Sequence, residues 1–221
     1  LPGSTFIFGY EPEEDPYKEL LQGIKGSNLK HDPGSIGIYC NDGFTLAEMM
    51  VERVSGRKFI DFLRERVFLP LGMKDTGPSI GETGGNISHF YDPETGKKYP
   101  PEMILVHAAG GLSSTAEDLC RFGDSFCPGG KKILSQRSID EILDSQPTPF
   151  SALLRGPAIM DSFGWDYSYL PAYEENGIKV YSKNGGTGAY STGFQVIPEK
   201  RLVVAASISG NTNGEIVTRA M

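Results

Sequence analysis

The sequence predicts a mixed α/β (α+β) chain, with a helical middle region followed by an antiparallel end. Two observations predict it. Between residues 45 and 143, serine and threonine caps precede apolar residues at helical spacing. After about residue 176, three short apolar runs separated by turn residues replace that periodicity. With 221 residues, 38% hydrophobic and 22% charged, the chain can bury a core. Residues 1–175 read as a helical, loop-rich region and 176–221 as a strand region, together one incomplete domain.

Residues 1–35 are rich in Pro, Gly and Glu, and the acids Glu11, Glu13, Glu14 and Asp15 read as a solvated loop. One helix is expected there, around Tyr17 to Ile24. Thr45-Leu46-Ala47-Glu48 matches a capping box, with Ala47, Met50, Val51 and Val54 on one helical face and Gly56 as the stop. A second helix is expected from Lys58 to about Val67, ended by Leu69-Pro70-Leu71-Gly72. Residues 77–105 read as loop with a hairpin turned by Asp92-Pro93-Glu94-Thr95-Gly96.

Ser114-Thr115-Ala116-Glu117 is a second capping box, opening a helix to about Phe126. Cys120 and Cys127 are seven apart and are expected to pack in the core. A further helix is expected over about Ser135 to Leu143. Ile178, Val180 and Tyr181 suggest one strand, Tyr190 to Ile197 a second and Leu202 to Ser209 a third. Pro198-Glu199-Lys200-Arg201 joins the last two as a hairpin, and Thr212 to Met221 reads as the opening of a helix.

The formal net charge is −7, and no basic stripe interleaved with aromatics appears, which argues against a nucleic-acid partner. The apolar run Leu202 to Ile208 is far too short to span a bilayer. The three cysteines (Cys40, Cys120, Cys127) lack C-x-x-C spacing, and His31, His89 and His107 are scattered. No metal site and no cofactor are expected.

Three stretches carry chemistry. They are Pro33-Gly34-Ser35-Ile36-Gly37-Ile38-Tyr39-Cys40-Asn41, Ala108 to Thr115 (AAGGLSST), and Lys183-Asn184-Gly185-Gly186-Thr187 at a strand edge. Taken singly, Tyr39 is a packing residue, Lys183 a solvated charge, and Gly185-Gly186 a turn. Their joint order says more. Tyr39-Cys40-Asn41 and Lys183-Asn184-Gly185 resemble the Y-x-N and K-[TS]-G elements of class C β-lactamases, DD-peptidases and the related carboxylesterases. Phe68 to Thr76 is similar to that family's PLGM-x-x-T segment, and Gly110 to Thr115 to its GGL-x-ST turn. Two positions depart from the pattern. Cys40 stands where Ser or Ala is usual, and Asn184 where Thr or Ser contacts a substrate carboxylate.

The resemblance implies an incomplete β-lactamase/transpeptidase-like fold and a serine hydrolase acting by acyl transfer on amide or ester bonds: D-Ala peptidase, esterase or β-lactamase. Asn184 favours the first two. It implies a small-molecule or peptide substrate and an extracytoplasmic bacterial setting. A non-catalytic binding or sensor domain on the same scaffold is the alternative.

The S-x-x-K nucleophile is expected upstream of residue 1, because Leu1-Pro2-Gly3 is similar to sequence that follows it in the family. Two internal matches exist, Ser27 to Lys30 and Ser55 to Lys58. With 19 serines and 12 lysines, chance gives about one such match. Neither lies at a helix start. A chain without that segment is expected to be inactive alone and to associate through an exposed sheet edge.

The resemblance also implies roles. Tyr39 shares the serine's proton with the upstream lysine, and positive charge from Lys183 and from that lysine favours its phenolate. Asn41 orients that lysine and hydrogen-bonds the substrate amide. The backbone N–H of Gly186 forms half of an oxyanion hole. Asn184, Gly185 and Thr187 complete the substrate-binding strand.

Overall fold

A three-stranded antiparallel sheet, covered on both faces, is the platform on which the candidate site is built. The computed structural model describes residues 8–9, 15–79, 87–146, 148–149, 163–166, 173, 175–210, 214 and 217–218. Leu1-Pro2-Gly3, the acids Glu11, Glu13 and Glu14, and most of the helix expected from Thr212 lie outside the described residues.

The sheet consists of β5 (Tyr181–Gly186), β6 (Tyr190–Ile197) and β7 (Leu202–Ser209), with β6 central. The expected hairpin is present, and Arg201 closes its turn with φ 48°. In this register Tyr181 and Lys183 lie opposite Val196 and Phe194, so these four share one face. Two helices cover that face: α5 (Ala116–Asp124) and α6 (Gln136–Leu143). The layer between holds Phe126, Cys127, Ile139, Trp165, Tyr181, Phe194 and Val196. Trp165 stacks on Phe194 at 5.8 Å and meets Phe126 edge-on at 5.5 Å. Aromatic pairs at such distances add about 0.5–1.5 kcal/mol each beyond area burial.

Helix α5 lies unusually close to the sheet because Gly123 faces it. A Cβ there would sit 2.5 Å from Val203 Cγ1 and 3.1 Å from Phe194 Cζ. On the other face, Gly193 lies against Gly214 and Thr218.

The helical region begins with α1 (Pro16–Lys25), capped by Asp15, whose carboxylate accepts the N–H groups of Tyr17 and Lys18. Helix α2 (Asn41–Ser55) starts four residues before the expected capping box and ends, as expected, at Gly56. The Thr45 and Glu48 side chains are used elsewhere. The Thr45 hydroxyl donates to the Asn41 carbonyl at 3.3 Å. Glu48, 2% exposed, accepts from Tyr17 Oη at 2.6 Å and from the Ala108 N–H at 2.8 Å. Tertiary demand for a buried acceptor outweighed the local cap.

The next helix corrects a second expectation. It runs from α3 (Phe59–Leu63) through a π-helical turn (Arg64–Phe68) into α4 (Leu69–Leu71), so it continues through Pro70. The wide turn makes room for the proline ring and its missing N–H. The stop is Gly72, with φ 75°. Met73 N–H then reaches the Phe68 carbonyl at 2.9 Å and Gly72 N–H the Leu69 carbonyl at 3.2 Å. This is the Schellman closure, and the buried Phe68, Leu71 and Met73 form its hydrophobic partner.

The cap of α5 falls one residue later than expected. Thr115, not Ser114, accepts the Asp118 N–H, at 3.2 Å. Asp118 is fully buried and takes Asp75 N–H at 2.8 Å and Thr76 Oγ1 at 2.9 Å, pinning the loop after Gly72. Two pairings of two residues each complete the framework. They join β1 (Phe8–Gly9) to β3 (Met103–Ile104) and β2 (Gly77–Pro78) to β4 (Leu112–Ser113). No described helix is long and apolar enough to cross a membrane.

Candidate functional site

The site forms where the start of α2 meets the end of β5. Cys40 is extended (φ −152°, ψ 103°) and is the N-cap of α2, so Tyr39 precedes the helix and Asn41 is its first residue. Tyr39 is 47% exposed, whereas Asn41 is 7% exposed. Lys183 lies with its ammonium 5.7 Å from the centre of the Tyr39 ring. Motif residues far apart in sequence are thus in cation–π contact.

Lys183 has a second partner that the sequence reading missed. Its Nζ donates to Asp166 Oδ2 at 2.8 Å. The same oxygen accepts the Asn184 N–H at 2.7 Å, and the Asp166 N–H donates to the Ser182 carbonyl at 2.8 Å. The Asp166 side chain is 4% exposed and that of Lys183 34%. A lone Asp beside the only Trp, 17 residues before the lysine, carries no spacing signal.

These contacts also fix which way β5 points. Ser182 and Asn184 direct their backbone groups to Asp166, on the side of β5 away from β6. In an antiparallel strand alternate residues share a direction, so the Gly186 N–H points the same outward way. An added Cβ at Gly186 would meet nothing within 4 Å, so its surroundings are open. Asn184, Gly185, Gly186 and Thr187 are all exposed. Thr187 turns the chain toward β6. Its N–H reaches the Tyr190 carbonyl at 2.8 Å, and its hydroxyl accepts the Tyr190 N–H at 3.0 Å. Glu102 Oε2 takes the Ala189 N–H at 3.1 Å.

Within residues 1–221 the surroundings of Tyr39 favour the phenol. Burial first, and the negative charge of Asp166 second, raise its phenol above the ordinary value. The Lys183 charge sits over the ring and is paired with Asp166, so it does not act as a bare cation at the hydroxyl.

The internal S-x-x-K matches lie away from helix starts. Ser27 follows the end of α1, is exposed, and donates to the Ile24 carbonyl at 2.9 Å. Ser55 is the last residue of α2, and Gly56 at φ 67° breaks the helix before Lys58. Neither serine has its lysine one helical turn away on the same helix. Among the described residues no group of three or more His, Cys, Asp or Glu side chains could hold a metal ion.

The family described as Beta-lactamase matches residues 1–220. Penicillin-binding protein 4 of Amycolatopsis lactamdurans is 25% identical over 205 residues, covering 84% of this chain and 49% of that protein. The D-alanyl-D-alanine-carboxypeptidase/endopeptidase AmpH of Escherichia coli K12 is 25% identical over 199 residues, covering 89% of this chain and 50% of its own. The chain therefore spans about half the length of the curated relatives it matches. In fold it is similar to the D-amino acid amidase of Ochrobactrum anthropi SV3, with TM-score 0.69 and 22% identity over 95% of this chain and 69% of that one.

Proposed function

Because the chain belongs to the beta-lactamase family, we propose that its protein is a serine hydrolase that moves the acyl group of an amide or ester to serine and then to water or an amine. The observation that carries this reading is the seat of Lys183 over Tyr39, 5.7 Å from its ring centre. Two motifs that mean little singly meet at one place.

In this reading the nucleophile is supplied by an S-x-x-K segment outside residues 1–221, since Ser27 and Ser55 lack the helical setting that the chemistry needs. Tyr39 works as a relay. Its oxygen accepts the serine proton while its own proton passes to the neutral lysine of that segment. The reverse transfer delivers a proton to the leaving amine or alkoxide. A phenol that keeps its proton at rest suits this role better than a standing phenolate. Asn41, at the start of α2, orients the lysine and the substrate amide. The outward N–H of Gly186 receives the developing oxyanion together with the serine's own N–H. Lys183, paired with Asp166, borders the relay over the Tyr39 ring.

The substrate-binding strand carries Asn184, Gly185 and Thr187. Asn184 lacks the hydroxyl that holds a β-lactam carboxylate, which favours a peptide, amide or ester over a β-lactam. The names of the relatives run the same way, toward peptidase and D-amino acid amidase. The test is turnover by the full-length protein of a D-alanyl-D-alanine peptide, a D-aminoacyl amide, a p-nitrophenyl ester and a chromogenic cephalosporin. The reading predicts faster release from one of the first three than from the cephalosporin. No turnover of any of the four, with no labelling by fluorescent penicillin, contradicts it.

A further inference from the structure

We propose that Asp166 is a positioning residue whose carboxylate holds the Lys183 ammonium over the Tyr39 ring and locks the end of β5 in place. Its consequence for catalysis rests on the hydrolase reading; the positioning itself does not.

Three contacts tie Asp166 to three successive residues of β5. Its N–H donates to the Ser182 carbonyl at 2.8 Å, its Oδ2 takes Lys183 Nζ at 2.8 Å, and the same Oδ2 takes the Asn184 N–H at 2.7 Å. Ser182 and Asn184 offer the outer-edge groups of β5, so Asp166 does there what a neighbouring strand would do. Trp165 anchors it from behind, packed between Phe126, Tyr181 and Phe194. The lysine stem leaves the sheet on that aromatic face, and its ammonium donates to the Asn184 carbonyl at 2.6 Å as well as to Asp166, whose carboxylate is the anion that holds it toward Tyr39. A four-carbon side chain left to water samples many rotamers instead.

The same carboxylate sets the charge around Tyr39. Among the described residues, the charged groups that bear on Tyr39 are Lys183 from β5 and Asp166 from the segment preceding it. With both present the ammonium is balanced, and the phenol is favoured over phenolate. Replacing Asp166 by Asn loosens the hold on the lysine, because a neutral amide oxygen accepts from an ammonium more weakly than a carboxylate does, and it removes the balancing charge.

The experiment follows Tyr39 ionisation by NMR of ring-labelled tyrosine in the full-length protein, with the Tyr39 signal identified by its loss in Tyr39→Phe. Ester turnover is measured in parallel for wild type, Asp166→Asn and Asp166→Glu. In Asp166→Asn, Tyr39 is expected to ionise at lower pH than in wild type. There kcat falls about 10- to 100-fold while KM stays within about threefold, as for a displaced catalytic group. Asp166→Glu, which keeps the charge, leaves Tyr39 ionisation near wild type. A folded Asp166→Asn protein whose Tyr39 ionises as in wild type overturns the proposal. Should that variant fail to fold, Asp166→Ser replaces it with the same two outcomes. If wild type turns over no ester yet the ionisation moves, the positioning stands and the hydrolase reading falls. If wild type is active and the ionisation does not move, the reverse holds.

Discussion

Asp166 Oδ2 accepts from both Lys183 Nζ, at 2.8 Å, and the Asn184 N–H, at 2.7 Å, so one buried oxygen fixes a side chain and the strand that carries it. Lys183→Met would leave that carboxylate, 4% exposed on its side-chain atoms, without its cation. Stranding a fully buried charge costs about 3–5 kcal/mol. The lysine here is one-third exposed and water can reach the pair, so a loss of about 1–3 kcal/mol is expected. Urea denaturation measures it, and the Lys183→Met/Asp166→Asn double variant should recover part of the loss.

Tyr39→Phe keeps the ring under Lys183 and removes the hydroxyl that relays the proton. In the full-length protein, loss of a general acid–base group lowers turnover about 10²- to 10⁴-fold. Because the ring contact survives, stability should change by less than about 1 kcal/mol. Steady-state kinetics and thermal melting together check the pair of outcomes.

Sequence and structure part company at particular residues. Lys183, Asn184 and Gly185 were legible because a strand edge and a motif coincide there. The start of α2 was not, since Thr45 and Glu48 imitate a cap while Glu48 serves Tyr17 and Ala108 across the fold. Pro70 reads as a breaker, yet one π turn absorbs it. Asp166 acts through contacts made only after the chain folds back on β5, which no local pattern encodes. The pairings β1–β3 and β2–β4 are two residues long, too short for any alternation to appear.

Tyr17 gives an alkaline prediction. Burial first, then its hydrogen bond and proximity to Glu48, drive its phenol well above the ordinary 10.0. Above pH ~10 the unfolded chain releases this proton while the folded chain keeps it, so the folded state binds more protons and stability falls as pH rises. Below pH ~10 both states are protonated, and the contribution is fully present. Tyr17→Phe should flatten the decline in melting temperature above pH ~10. A decline as steep as in wild type would contradict the assignment.

Gly123→Ala tests the close approach of α5 to the sheet. The new methyl would stand 2.5 Å from Val203 Cγ1, so α5 or β7 must shift. Overpacking of this kind costs about 1–3 kcal/mol. Phe194, also near Gly123, lies opposite Lys183, so weaker turnover should accompany the loss of stability. Guanidinium denaturation checks the first effect and ester hydrolysis by the full-length protein the second.

The central claim is that Tyr39, Asn41 and Lys183 assist a serine that residues 1–221 do not themselves contain. Mass spectrometry after exposure to a fluorophosphonate tests it most directly, applied in parallel to the full-length protein and to residues 1–221 expressed alone. The account predicts one stoichiometric adduct on the full-length protein, on the serine of an S-x-x-K preceding Leu1, and none on residues 1–221. A stoichiometric adduct on Ser27 or Ser55 would contradict it.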